Sequence, residues 1–200
     1  VSKQRFDAFS DGVFAFAVTL LILGIALPEA VRAHASDAAL TRALLNLWPS
    51  FAAYLLSFAV IGVMWQSHHA LFRLVDTIDR TTVFCNLGLL CVVAFIPFAT
   101  SVLGAYPVAR PATFLYGLTL TASATCYNVM LHHLTARHAF RPDVAKGAVR
   151  ATARAYRVGL TTYALATLVA FVAPIASFAL YLLVVAYFAI PRGVDADLGR

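Results

Sequence analysis

Charge is what this sequence lacks most. Of its 200 residues only 12% are Asp, Glu, Lys or Arg, against about 25% in an ordinary soluble chain. So few charges cannot cover a water-exposed surface. A soluble enzyme, a disordered regulator and a nucleic-acid-binding domain are therefore excluded, the last despite a net charge of +6. Cysteine is scarce too. Cys85, Cys91 and Cys126 are odd in number and spaced for neither a disulfide framework nor a zinc site. They read as small apolar side chains in helix or lipid contacts. Absent as well are the phosphate-binding P-loop, the zinc-protease HExxH pattern, the GxSxG nucleophile turn and the Rossmann glycine pattern. The chain has no TVGYG-like carbonyl filter, and no internal duplication of the kind an inverted-repeat transporter carries.

Apolar residues are what it has in excess, at 62% with a mean hydropathy of +0.82. An all-α integral membrane protein is expected, its 200 residues forming one transmembrane domain. A bilayer crossing takes about 20 mainly apolar residues. Six such stretches are present, approximately 9–27, 47–65, 83–105, 112–134, 158–172 and 175–190. From 158 to 190 the last two cover 33 residues, roughly 50 Å of helix and too long for one crossing. A tight hairpin broken at Pro174 is expected instead.

Twelve of the fifteen Lys and Arg residues fall on one side of this scheme, with Arg32, Arg42 and Arg110 alone on the other. By the positive-inside rule, both termini face the cytoplasm. Lys3 and Arg5 before an apolar run, with Ala33-His34-Ala35 after it, also resemble a secretory signal. Entry through Ser10-Asp11-Gly12 and the five spans that follow argue against cleavage. Val1 in place of Met suggests that the natural chain begins upstream. Between the fourth and fifth spans, Lys146, Arg150, Arg154 and Arg157 follow steps of four, four and three, one face of a helix. The first reading is a solvated cytoplasmic extension of the fifth helix that fixes topology. The second is a contact for anionic inner-leaflet lipid.

Chemistry concentrates at the start of the first span. A carboxylate such as Asp11 costs about 2.5–3.5 kcal/mol at mid-bilayer and less near the interface, so it should have a partner. Helix capping accounts for one of Ser10 and Asp11, not for both together with Arg5, Phe6 and Phe9. Trp65, His68 and His69 end the second span, and Asn86 starts the third, at compatible depths. An interhelical network of Asp11, His68 or His69, and Asn86 is expected. His132-His133 ends the fourth span and brings to mind a metal-dependent membrane enzyme. Adjacent helical residues diverge by about 100°, however, and no third ligand accompanies either pair. No metal, cofactor or enzymatic activity is expected.

Arg5-x-x-x-Phe9-Ser10-Asp11, followed by a Thr- and Leu-rich helix, resembles the RxxxFSD signature of the transmembrane protein 175 family. Trp65-x-x-His68-His69, Asp79-Arg80, Asn86 and Ala94-Phe95-Ile96-Pro97-Phe98 continue the likeness in order. The resemblance implies a potassium-permeable channel, with other monovalent cations as further candidates. It implies a homotetramer of six-span chains in the bilayer, here of a bacterial inner membrane, with the first helices lining the pore. It also implies that the signature residues pack inside the subunit against the His and Asn of neighbouring helices. The family's narrow gate lies five, nine and twelve residues after the motif Asp, at Phe16, Leu20 and Leu23, with Thr19 at its characteristic Thr position. Leu27 continues that helical face. Phe16 departs from the usual Ile or Leu and brings a larger, planar ring. Such an apolar neck makes ions shed hydration, which potassium does more readily than sodium. The rival class is a secondary transporter or proton-coupled carrier that uses Asp11 and the cytoplasmic-side His residues as a relay.

Overall fold

A computed structural model describes residues 2–27, 29 and 36–189. Among these the fold is all-α. Helix α1 (Lys3–Leu20) tightens into a 3-10 turn over Leu21–Gly24. There follow α2 (Asp37–Asn46), α3 (Trp48–Arg73), α4 (Arg80–Ala105), α5 (Arg110–Ala136), α6 (Lys146–Val169) and α7 (Pro174–Ala189). Local chemistry sets the starts. The Ser36 hydroxyl accepts from the Ala39 N–H at α2, and Asp79 caps α4. Pro49, Pro111 and Pro174 each stand in a first turn, where the missing N–H costs nothing.

Two expected boundaries move. The first helix does not continue to Leu27, because the backbone turns extended at Ile25. The fifth expected span starts well before residue 158, because the helical face predicted from Lys146 is continuous with it and α6 is one helix from Lys146 to Val169. Helix α2 stands between the first and second expected spans, where no element was expected. Arg32, Arg192 and Arg200 lie outside the described residues, as does Ile190 at the end of the sixth span. Among the described residues three helices are long and apolar enough to cross a membrane: Lys3–Gly24, Trp48–Arg73 and Arg80–Ala105. Helix α7 is apolar but shorter.

The layers follow chain order. Helix α1 packs on α3 and α4, α4 on α5, and α5 on α6. Helix α7 covers α6 and reaches α3 and α5, while among the described elements α2 touches α3 alone. Helices α6 and α7 thus lie away from α1. Side chains such as Ile61, Leu89, Val93, Ile96, Leu120, Met130 and Leu134 are fully buried between the helices. Polar groups stitch this apolar core. The Tyr116 hydroxyl meets Ser57 Oγ at 3.0 Å, and Thr100 donates to Ser57 at 2.7 Å. Tyr127 donates to the Met64 carbonyl at 2.5 Å and Tyr181 to that of Thr113 at 3.2 Å. In an apolar surround such bonds hold helices together because no water competes for either partner.

One end of the bundle is locked through its loops. The α3–α4 and α5–α6 connections pair as an antiparallel bridge between Val75 and Phe140. Asp76 N–H donates to the Ala139 carbonyl and Arg141 N–H to that of Leu74, both at 2.9 Å. Lys3 Nζ donates to the Val75 carbonyl at 2.6 Å, which brings the start of α1 to the same place. Asp79 is the hub. It accepts from the Thr82 N–H at 2.8 Å, the Thr82 hydroxyl at 2.6 Å, and His133 Nε2 and Arg137 at 3.1 Å. The exit from α5 closes with Ala139 N–H on the Leu134 carbonyl and His138 N–H on that of Thr135. This double closure puts His138 at φ 51°, where glycine is usual.

Two outcomes follow. The Thr82 donors, first its hydroxyl and then its N–H, with His133 beside them, hold the Asp79 carboxyl well below its ordinary 3.8. A carboxyl more acidic in the folded chain adds stability that is present above its unfolded value and lost as pH falls through the folded one. Thermal unfolding of purified protein between about pH 5 and 2 should therefore fall less steeply with acid in Asp79→Asn than in the parent. Separately, His138→Gly should raise stability by about 0.5–1 kcal/mol, read as a higher unfolding midpoint at neutral pH.

Candidate functional site on the first helix

Helix α1 is apolar nearly all round, yet the fold gives it two distinct faces. Phe6, Ser10, Phe14, Ala17 and Leu21 recur at steps of four, four, three and four and are all buried. The opposite stripe carries Arg5, Phe9, Gly12, Phe16, Thr19 and Leu23, all exposed. Phe16 is 65% and Leu23 73% exposed. Leu20 is half-buried on the flank of that stripe.

The buried face is held by a polar chain whose directions can be assigned. Asn86 donates its side-chain N–H to Ser10 Oγ at 2.9 Å, which leaves Asn86 Oδ1 facing His68 Nε2 at 2.8 Å. An amide oxygen only accepts, so His68 carries its proton on Nε2. Ser10 passes its own hydrogen to the Phe6 carbonyl at 3.0 Å. Ser10, His68 and Asn86 are each at least 98% buried. Aromatic rings wall the chain in. The His68 ring stacks with Phe6 at 6.2 Å and tilts against Phe14 at 5.5 Å and Phe72 at 4.6 Å.

Several expected partners are placed differently. Asp11 is not in the His–Asn chain; its Oδ1 accepts from the Trp65 indole N–H at 2.8 Å on the partly exposed side. His68 alone enters the network, while His69 is exposed and stacks on Trp65 at 6.0 Å. The second pair divides the same way: His133 turns to Asp79 and His132 to the surface. Successive side chains on a helix point about 100° apart, which accounts for both splits. Arg5 and Phe9 lie outside the packed interior, and Arg5 makes no hydrogen bond or ion pair among the described residues. Phe14 and Phe72 escaped the sequence reading, although Phe14 lies four residues after Ser10, as Phe6 lies four before it.

At the far end, the 3-10 turn closes tightly on α4. A Cβ on Gly24 would stand 2.9 Å from Ser101 Cβ, so only glycine permits this approach. The turn buries Leu21 and leaves Leu23 outward. Leu27, half-buried past the extended Ile25, is off the helical stripe it was expected to continue. Thr19 donates its hydroxyl to the Phe16 carbonyl at 2.8 Å.

These features define an α-helical membrane protein whose first helix is pinned from behind by buried polar groups and bare in front. A residue pattern and a backbone shared with known channels make the class specific. The chain belongs to the family described as Endosomal/lysosomal potassium channel TMEM175, whose model matches residues 5–97. It is 40% identical over 189 residues to a protein of Streptomyces collinus named as a potassium channel, spanning 92% of this chain and 90% of that one. Its backbone matches the crystal structure of a lysosomal potassium-selective channel TMEM175 homolog from Chamaesiphon minutus. The TM-score is 0.82 at 37% identity, over 94% of this chain and 96% of that one. The mouse endosomal/lysosomal proton channel TMEM175 is 40% identical over 104 residues, half of this chain but 21% of that protein. The family is one of ion channels, not of enzymes.

The assigned hydrogen bonds make one energetic claim. Ser10→Ala and Asn86→Ala should be coupled by about 0.5–3 kcal/mol in a double-mutant cycle of thermal unfolding. Ser10→Ala paired with Ser123→Ala, whose hydroxyl bonds within α5, should be additive. Additivity in both cycles would mean that the buried chain does not anchor α1.

Proposed function

We propose that the chain is a potassium-permeable channel, assembled as a homotetramer around the outward stripe of α1. Four copies of Phe16, Leu20 and Leu23 form an apolar neck, and Thr19 places a ring of hydroxyls between them. The observation that carries this reading is the exposure of Phe16 and Leu23 on a helix whose other face is fixed by Ser10 and Asn86. Water is unstable in a narrow apolar ring, so a passing ion sheds part of its shell there. Potassium gives up hydration more readily than sodium, and mild selectivity follows without a carbonyl filter. Leu27 lies off this stripe and is given no part in the neck.

The six long helices each cross the bilayer in this reading, as one domain, with both termini on the cytoplasmic face of a bacterial inner membrane. Helix α5 is rich in Thr and Ser, yet it fits a crossing because those hydroxyls return to its own carbonyls. Thr119, Thr121 and Thr125 each donate to the carbonyl four residues back, at 2.8 Å. The bundle end that gathers Lys3, Asp79 and Arg137 is then the cytoplasmic one, in line with the bias of Lys and Arg. A proton-coupled carrier is less well supported. The His68–Asn86–Ser10 chain ends on the Phe6 carbonyl, which cannot pass a proton onward.

Reconstituted protein should show unitary currents in mixed potassium and sodium. Leu23→Ala and Phe16→Ala should raise conductance and weaken preference for potassium, while Leu165→Ala, on an exposed stripe far from α1, should leave both as they were. Unchanged currents in both neck variants would overturn the pore assignment.

A further inference from the structure

Helix α6 changes character halfway along one face. Arg150, Arg154 and Arg157 stand on the exposed side, and the same side continues as Val158, Thr161, Leu165 and Leu168. Leu165 and Leu168 are more than 60% exposed. An apolar stripe this open suits hydrocarbon, so the boundary of the bilayer core falls between Arg157 and Val158. At 1.5 Å per residue, Arg154 and Arg150 rise roughly 5 and 11 Å above Arg157. The headgroup layer of one leaflet is about 5–8 Å deep, so Arg154 and Arg157 lie in it and Arg150 just above.

Among the described residues no acidic side chain pairs with these cations. The ion pairs among the described residues are Asp79 with His133 and Arg137, and Arg141 with Asp143. Among the described residues Arg157 donates through Nε alone, to the Ala153 carbonyl at 3.2 Å. Immediately below them a groove of about 360 Å³ runs between α6 and α7, lined by Val158, Gly159 and Thr162 on one wall and Leu183, Ala186 and Tyr187 on the other. Its size is within the usual range for ligand sites, roughly 300–1,000 Å³. The Thr162 hydroxyl is turned into its own helix, on the Val158 carbonyl at 2.8 Å, which leaves that wall apolar.

A fixed row of cations at headgroup depth, over an apolar groove on the same outer surface, matches one kind of molecule. We propose that α6 and α7 form a binding site for an anionic glycerophospholipid of the surrounding bilayer. Its phosphate lies among Arg150, Arg154 and Arg157, and one acyl chain fills the groove. This rests on the placement of α6 and α7 across the membrane and not on ion conduction. Because α6 and α7 lie away from α1, the site is on the face remote from the proposed pore.

Native mass spectrometry of the full chain in detergent tests it, with phosphatidylglycerol and phosphatidylcholine of identical acyl chains as probes. The wild type should retain phosphatidylglycerol at least about tenfold better, given the usual gain per basic residue near anionic lipid. The combined variant Arg150→Gln, Arg154→Gln, Arg157→Gln should lose that preference, and the same three positions changed to Lys should keep most of it. Ala186→Trp, which fills the groove, should lower retention of phosphatidylglycerol with the arginines intact. Equal retention of the two lipids by the wild type, a preference that survives the Gln changes, or full retention in Ala186→Trp would each overturn the site. The readout needs no current, so a non-conducting protein would leave the result standing.

Discussion

The rotation of α1 about its own axis is set by one amide. Asn86 on α4 reaches Ser10 with its nitrogen and His68 of α3 with its oxygen, so a single side chain ties three helices at once. Turning α1 by one residue would carry Ser10 away by about 100° and leave buried donors without acceptors. The other polar ties of α1, Lys3 to the Val75 carbonyl and Asp11 to the Trp65 indole, lie nearer its partly exposed side. Once Ser10 faces inward, Phe16, Thr19 and Leu23 must face outward, and the proposed pore lining follows from a bond on the other side of the helix.

The opposite problem arises at the bundle end that gathers the basic residues. There the helices leave the apolar core, and backbone groups must find new partners. Asp79 takes up the start of α4, and through His133 and Arg137 it also fixes the end of α5. The bridge between Val75 and Phe140, with Lys3 bonded to the same Val75, completes the clasp. The buried hydroxyls along α3, α4 and α5 do a related job further in. In both places a polar group is tolerated because it is satisfied, and being satisfied it specifies which helices meet.

Helix α6 joins these two settings in one element. Its first half is basic and its second half apolar along the same outer stripe, which explains why its overall hydropathy is too low for a simple apolar span. The basic face of α6, read first as a topology marker, thereby gains a second role as a lipid contact in the proposed site. The groove against α7, directly beneath the arginines, is a feature that a topology marker alone does not call for.

Periodicity and composition revealed the longer helices though not α2, the break at Pro174 and the basic face of α6, because those depend on local chemistry and on a bilayer's demand for apolar length. The residues of the buried chain were also legible, since Ser10, His68 and Asn86 are polar groups where polar groups are costly. Their pairing was not. Which of two adjacent histidines turns inward, whether Asp11 or Ser10 meets Asn86, and where the stripe of α1 ends at Gly24 all depend on the contact between helices distant in sequence. Nor could an apolar helix announce its outward face, for Phe14 and Phe16 are the same residue two positions apart. Only packing against α3 and α4 separates the one that is buried from the one that is bare.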